Sequence, residues 1–271
     1  MWGLAVSSCV RRLHLATLMS ALVGSIARPA AAEGWAAKTE PTIPIAAWRE
    51  ISAGGTASLN GWVAYSSSTF APFGDLVSDG FRVRLGSGYG RYRYTTALPA
   101  HGECRYGNGR NTEIRGRTSF ADLLAGYQLS VGQLTVKGYA GFASDAQDLS
   151  TRDICNASQG MDYGAKGVIE GWLNITPKAW AALDGSYTAA HSGYAAKLRI
   201  GYRFMPDLSI GIEESATGNV AGMQASSGGF ARYEWSWGEA SVAGGMSSEH
   251  ADFRDLSRER VWAAINMLVR Y

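Results

Sequence analysis

Charge is scarce in this chain of 271 residues. Lys, Arg, Asp and Glu make up 18% of it, where about 25% is usual for a soluble domain. The balance is nearly even, 25 basic against 23 acidic residues, so the basic footprint of a nucleic-acid binder is absent. Low net charge with 46% hydrophobic residues excludes a disordered chain. There is no G-X-Y or heptad repeat, which excludes collagen-like and coiled-coil chains. No run of 18 apolar residues follows Ala32, so no membrane-spanning helix is expected. Cysteine is limited to Cys9, Cys104 and Cys155. A phosphate-binding loop is missing too, because Gly86-Ser-Gly-Tyr-Gly90 alternates as strand and no Lys-Ser/Thr pair follows it. Glycine, by contrast, is abundant, with 34 residues where roughly 19 would be usual.

The N-terminus reads as a secretory signal peptide over 1–32. Arg11 and Arg12 precede an apolar stretch from Leu15 to Ile26, and Ala30-Ala31-Ala32 supplies a small-residue cleavage site. Removing this segment takes away three Arg and no acids, so 22 basic against 23 acidic residues leave a charge of −1. Cys104 and Cys155 then remain in a chain bound for an oxidising compartment, where a disulfide between them is expected. Two isolated cysteines without paired spacing or nearby His argue against a metal site.

Beyond residue 56 the dominant signal is period-2 alternation. Over 134–142, Leu134, Val136, Gly138, Ala140 and Phe142 oppose Thr135, Lys137, Tyr139 and Gly141. The same split runs through 163–175 and 194–204 and ends the chain at Val261, Ala263, Ile265, Met267, Val269 and Tyr271. These runs exceed the usual five or six residues of a soluble strand, which disfavours a secreted β-sandwich. They suit strands that cross an outer membrane tilted, apolar side to lipid and polar side to lumen. We therefore expect an all-β fold, an antiparallel up-and-down transmembrane barrel of about twelve strands over 57–271. Residues 33–56 form an N-terminal segment with a first strand in its weakly alternating part.

Connections support this reading. Short turns are expected at 70–78, 130–131, 177–178, 205–207 and 238, facing the periplasm, and longer polar loops at 95–115, 145–160, 218–225 and 249–257, facing outward. Cys104 and Cys155 fall in the two longest of these loops. Tyr233, Trp235 and Trp237 share a lipid-facing strand end with Tyr202 and Tyr271 at similar depth, as rings at a membrane interface do.

Extrapolated parity places Arg82, Arg84, Lys137, Lys166, Lys197, Arg199, Arg203 and Arg232 in the lumen, with Asp122, Glu170, Asp184, Glu213 and Glu234. They form either an interior ion-pair network or a polar conduit whose charges set what passes. Trp62, Trp172, Trp180 and Trp262 share that parity. They either fill a modest barrel or, with Glu170, Asn174 and Asp184, offer stacking and hydrogen bonds to a neutral polysaccharide. The candidate ligand set is thus Trp62, Trp172, Trp180, Trp262, Glu170, Asn174, Lys166, Arg199 and Arg203. An outer-membrane hydrolase or acyltransferase is the rival class. It would need a nucleophile and base in reach, yet His191-Ser192 and Glu249-His250 are neighbours that point to opposite faces of a strand.

Several segments carry a family resemblance. They are Gly164-Ala-Lys-Gly-Val-Ile-Glu-Gly-Trp-Leu-Asn174, Asp79-Gly80-Phe81-Arg82-Val83-Arg84, Gly88-Tyr89-Gly90-Arg91-Tyr92-Arg93-Tyr94, Leu124-Ala125-Gly126-Tyr127-Gln128 and the run from Tyr194 to Arg203. In their order they resemble the cellulose biosynthesis protein BcsS family, an alphaproteobacterial family of outer-membrane barrels, over roughly 57–271. The resemblance implies a non-enzymatic part in cellulose production or export, as passage or envelope scaffold. Its implied partners are outer-membrane lipid, β-1,4-glucan and cellulose synthase components, with no cofactor and no catalytic residues. A general porin-like channel unconnected to cellulose is the alternative.

Overall fold

A computed structural model describes residues 47–98, 110–250 and 258–271. The expected signal segment over 1–32, Cys104 and His101 lie outside them. The described chain forms a closed antiparallel barrel in which each strand pairs with its sequence neighbour. The strands are β1 (Arg49–Ser58), β2 (Gly61–Phe70), β3 (Gly80–Leu98), β4 (Arg110–Val131), β5 (Leu134–Leu149), β6 (Gly160–Asn174), β7 (Ala179–Thr188), β8 (Gly193–Met205), β9 (Leu208–Asn219), β10 (Gly222–Trp235), β11 (Gly238–His250) and β12 (Arg258–Arg270). β12 closes on β1 from Glu50↔Arg270 to Ser58↔Trp262. Arg49 and Tyr271 exchange backbone hydrogen bonds at 3.1 and 2.9 Å at the end of that seam.

The weakly alternating region before residue 58 thus supplies a full strand. Its composition hides this, since small residues in Ser52-Ala-Gly-Gly-Thr-Ala-Ser58 give little contrast between faces. Turn positions shift by a few residues from those expected. The β4–β5 turn is 132–133, where Gly132 has φ +61°, rather than 130–131, and the β10–β11 turn is 236–237 rather than 238. The loop expected at 218–225 shrinks to 220–221 because β9 and β10 pair up to Asn219↔Gly222. Likewise β3 and β4 continue to Leu98↔Arg110, so much of the loop expected at 95–115 is strand.

The outer wall is apolar. Phe142, Ile169, Ile200, Ile212, Val242 and Ile265 are among its exposed residues, the arrangement expected where lipid rather than water is the solvent. At the end holding Ala47 and Tyr271, called here the terminal end, Tyr202, Tyr233, Trp237 and Tyr271 are all about half exposed. Trp235 packs between Tyr233 and Trp237, with ring centroids 6.1 and 5.3 Å away. The Arg49 guanidinium lies 5.0 Å from the Phe70 ring and 5.5 Å from that of Tyr271.

Glycines shape the inner wall. Across the registers, Tyr65 faces Gly54, Phe120 faces Gly88, Tyr92 faces Gly116, Tyr139 faces Gly126, Trp180 faces Gly201 and Phe230 faces Gly211. At each glycine a Cβ would collide with the partner's ring. These glycines let large rings lie against the wall instead of projecting into the lumen, and the ring in turn covers the bare backbone. This accounts for much of the glycine excess.

Candidate functional site

The registers decide which predicted lumen residues meet. All the basic residues expected inside, and all the acids, share the inward parity. Lys166 and Asp122 reach over Gly141 of the intervening strand to pair at 2.5 Å. Arg84 binds Glu170 at 2.5 Å, and Lys137 lies 3.7 Å from the same carboxylate. Glu213, whose side chain is 3% exposed, accepts from Arg199 at 2.6 Å and faces Lys197 at 3.8 Å. Sequence parity missed the seam pair Arg270–Glu50 at 2.9 Å and the Arg232–Glu239 pair, because the first strand alternates weakly and β11 begins a residue earlier than expected.

The four candidate tryptophans separate into three places. Trp172 and Trp180 stack with centroids 4.3 Å apart. Trp180 is fully buried, held between Trp172, Phe230 at 5.5 Å and the Arg232 guanidinium at 5.2 Å, with its Nε1 donating to Ser209 Oγ at 3.3 Å. Asn174 Oδ1 accepts from Trp172 Nε1 and from Arg203, both at 3.2 Å. Trp172, Trp180, Asn174, Arg203 and Arg232 therefore form one packed cluster near the terminal end.

Trp262 lies elsewhere. It is 5% exposed, donates to Met246 O at 3.1 Å and lines a lumen cavity of about 880 Å³ together with Lys166, Glu170, Arg199 and Tyr65. Tyr65 bonds Asn266 across the seam.

Trp62 is a correction. The β1–β2 register pairs Ser58 with Gly61, so odd positions of β2 point inward and Trp62 stands on the outer face. It is about half exposed, with Tyr89 5.8 Å away. Sequence parity fails here because Gly61-Trp-Val-Ala-Tyr-Ser-Ser-Ser offers no consistent apolar face and the turn before it lies at 59–60 rather than at 55–56, where the alternation places it.

The terminal end of the lumen is further narrowed by the loop 71–79. Arg82, 1% exposed, donates to Ser78 O at 2.5 Å, and Gln128 Nε2 donates to Leu76 O at 3.2 Å. Both side chains come from the inner wall, so they hold this loop from inside the barrel. Within it, Asp75 accepts from the Ser78 and Val77 amides at 2.7 and 2.9 Å. Those bonds, chiefly from Ser78, hold its carboxyl below the ordinary carboxylate range.

At the opposite rim, Tyr94 binds Asp153 at 2.8 Å and accepts from Asn156 at 3.1 Å, fixing the 150–159 loop. Cys155 in that loop is disulfide-bonded. His191 occupies a turn with φ 48°; its amide donates to Asp162 at 2.8 Å, and its Nδ1 lies 3.9 Å from the same carboxylate. Among the described residues no cluster of three or more His, Cys, Asp or Glu could hold a metal ion.

The family model for cellulose biosynthesis protein BcsS matches residues 52–268. No curated protein sequence matches the chain. Among solved structures, the KdgM porin is similar at 11% identity and a TM-score of 0.42, covering 82% of this chain and 99% of that one. Omp33 of Acinetobacter baumannii is similar at 13% identity, 84% and 99% coverage and a TM-score of 0.39. The transport unit of autotransporter AIDA-I from Escherichia coli gives 10% identity, 95% and 97% coverage and a TM-score of 0.45. At these identities the likeness is one of fold alone.

Proposed function

Since the chain belongs to the cellulose biosynthesis protein BcsS family, we propose that it is a non-enzymatic outer-membrane barrel acting as an envelope scaffold for cellulose production. In this reading the lumen cavity receives a short segment of β-1,4-glucan. The observation that carries the scaffold over the passage is the filling of the terminal end by the Trp172–Trp180–Arg232 cluster and by the loop held on Arg82 and Gln128. Trp262, Glu170, Lys166 and Arg199 around the remaining cavity offer an aromatic face and charged hydrogen-bonding groups of the kind a hydroxyl-rich chain uses. The enclosed Trp172–Trp180 pair serves packing, and Cys155 pairs with Cys104 to tether the two outer loops.

The test is a deletion strain in which cellulose is measured separately at the surface and in the periplasm, with the purified barrel examined in planar bilayers. A scaffold predicts cellulose lost from both fractions and a silent barrel. Surface loss with periplasmic accumulation and an open conductance would replace it with an export passage. Unchanged cellulose in both fractions would remove the cellulose role and leave a porin-like reading.

A further inference from the structure

The outer face of β3 and β4 changes character abruptly. Phe81, Val83, Leu85 and Tyr89 on β3 point outward, as do Leu123, Ala125, Tyr127 and Leu129 on β4. The β3 band spans eight residue steps, roughly 26 Å along the strand, which suits a tilted crossing of the hydrocarbon layer. Beyond Tyr89 and its register partner Ser119, the next outward positions on both strands are arginine. Arg91 stands directly opposite Arg117, and Arg93 opposite Arg115, and all are exposed.

Like charges placed directly opposite on one face destabilise a sheet, so this block calls for a counter-ion. Among the described residues the barrel supplies little. Glu113 lies 3.3 Å from Arg115. Asp148 is paired with Arg117 in register, but no ion pair within 4.0 Å joins them. The guanidinium groups are partly positioned nonetheless. Arg91 Nε donates to Tyr89 Oη at 3.2 Å, and Arg93 donates to Leu59 O at 3.2 Å.

The setting is concave. The β1–β2 hairpin turns back at 59–60, where the Arg93 amide bonds Asn60 O at 2.8 Å, while β3 runs on to Leu98. The step leaves a hollow of about 660 Å³ bordered by Leu59, Trp62, Arg91, Arg93, Arg115 and Arg117. Trp62 borders it and packs 5.8 Å from Tyr89, the last residue of the apolar band, where amphipathic rings mark the membrane interface. Arginine forks bind phosphate oxygens in pairs.

We propose that Arg91, Arg93, Arg115 and Arg117 form a headgroup site for an outer-leaflet lipid bearing phosphate groups, whose acyl chains lie along the apolar band beneath. The leaflet follows from the outer-membrane reading; the site does not depend on any role in cellulose.

The test uses the purified full-length barrel in neutral detergent and three probes: a bisphosphorylated diglucosamine lipid, the same lipid dephosphorylated, and inorganic phosphate. Binding is read by native mass spectrometry and by titration. The phosphorylated lipid should bind, and Arg91→Gln/Arg117→Gln and Arg93→Gln/Arg115→Gln should each weaken it at least tenfold. Lys178→Gln, at the far end, should leave it unchanged. Equal binding of the dephosphorylated lipid would overturn the proposal, as would full retention by both double variants or an equal loss with Lys178→Gln. Binding of inorganic phosphate as tight as that of the lipid would also overturn it, making the block a free-anion site. Heat-modifiable gel mobility reports folding, and if a double variant does not fold, the Arg117→Gln single variant carries the same comparison.

Discussion

Trp180 covers Gly201, its partner across the β7–β8 register, and fills the place that a side chain at Gly201 would take. The two positions are therefore energetically coupled. Trp180→Ala should lower barrel stability by about 3–5 kcal/mol, as a large buried ring is removed. Gly201→Ala should cost about 1–3 kcal/mol by overpacking, and most of that cost should vanish in the Trp180→Ala background. Urea unfolding in detergent, followed by far-UV circular dichroism, measures all three; additive losses would contradict the coupling.

Lys166 and Asp122 pose a sharper electrostatic question. The Asp122 side chain is 4% exposed, so removing its partner strands a buried carboxylate. Lys166→Met should cost about 3–5 kcal/mol, whereas Asp122→Leu/Lys166→Met should recover most of it. The same unfolding experiment decides, and an equal loss in single and double variants would show that the pair acts through packing alone.

Much of this was readable before any coordinates. From 134 onward, apolar and charged residues alternate so cleanly that the strands and the inward parity of Lys137, Lys166, Glu170 and Arg199 follow from period 2, while the count of about twelve also draws on the spacing of turns and loops. The failures share one cause. Where both faces carry small residues, as in β1 and at Trp62, parity cannot be told without the turn position, and a one-residue slip reverses every side chain. The split of Trp172 and Trp180 from Trp262 was not legible either, because it depends on which neighbouring strand supplies Phe230 and Arg232.

Asp75 gives the loop 71–79 a pH dependence of known sign. Its carboxyl is lowered from the ordinary 3.8, first by the Ser78 amide. The ordering it provides is therefore complete above that ordinary value and is lost as pH falls through the lowered one. The protection of the Val77 and Ser78 amides, taken relative to intrinsic exchange at each pH, should fall only in that acid window, and Asp75→Asn should weaken the dependence. Protection that is flat with pH in the unsubstituted protein would rule this out.

The disulfide at Cys155 predicts a partner at Cys104. Without reductant, neither Cys104 nor Cys155 should be alkylated; with reductant, both should be. Cys155→Ser should leave Cys104 free to react, and an unreactive Cys104 in that variant would point to a different pairing.

The seam between β1 and β12 carries a consequence for biogenesis. Glu50 and Arg270 meet across a separation of 220 positions, so the first strand waits for the last. Joining such distant segments is slow, and until it happens the chain is an open sheet with two unsatisfied borders, each able to capture a foreign strand. A polypeptide truncated within β12 would accordingly not form a smaller barrel but an aggregation-prone intermediate, and its survival in the cell would rest on whatever shields those borders.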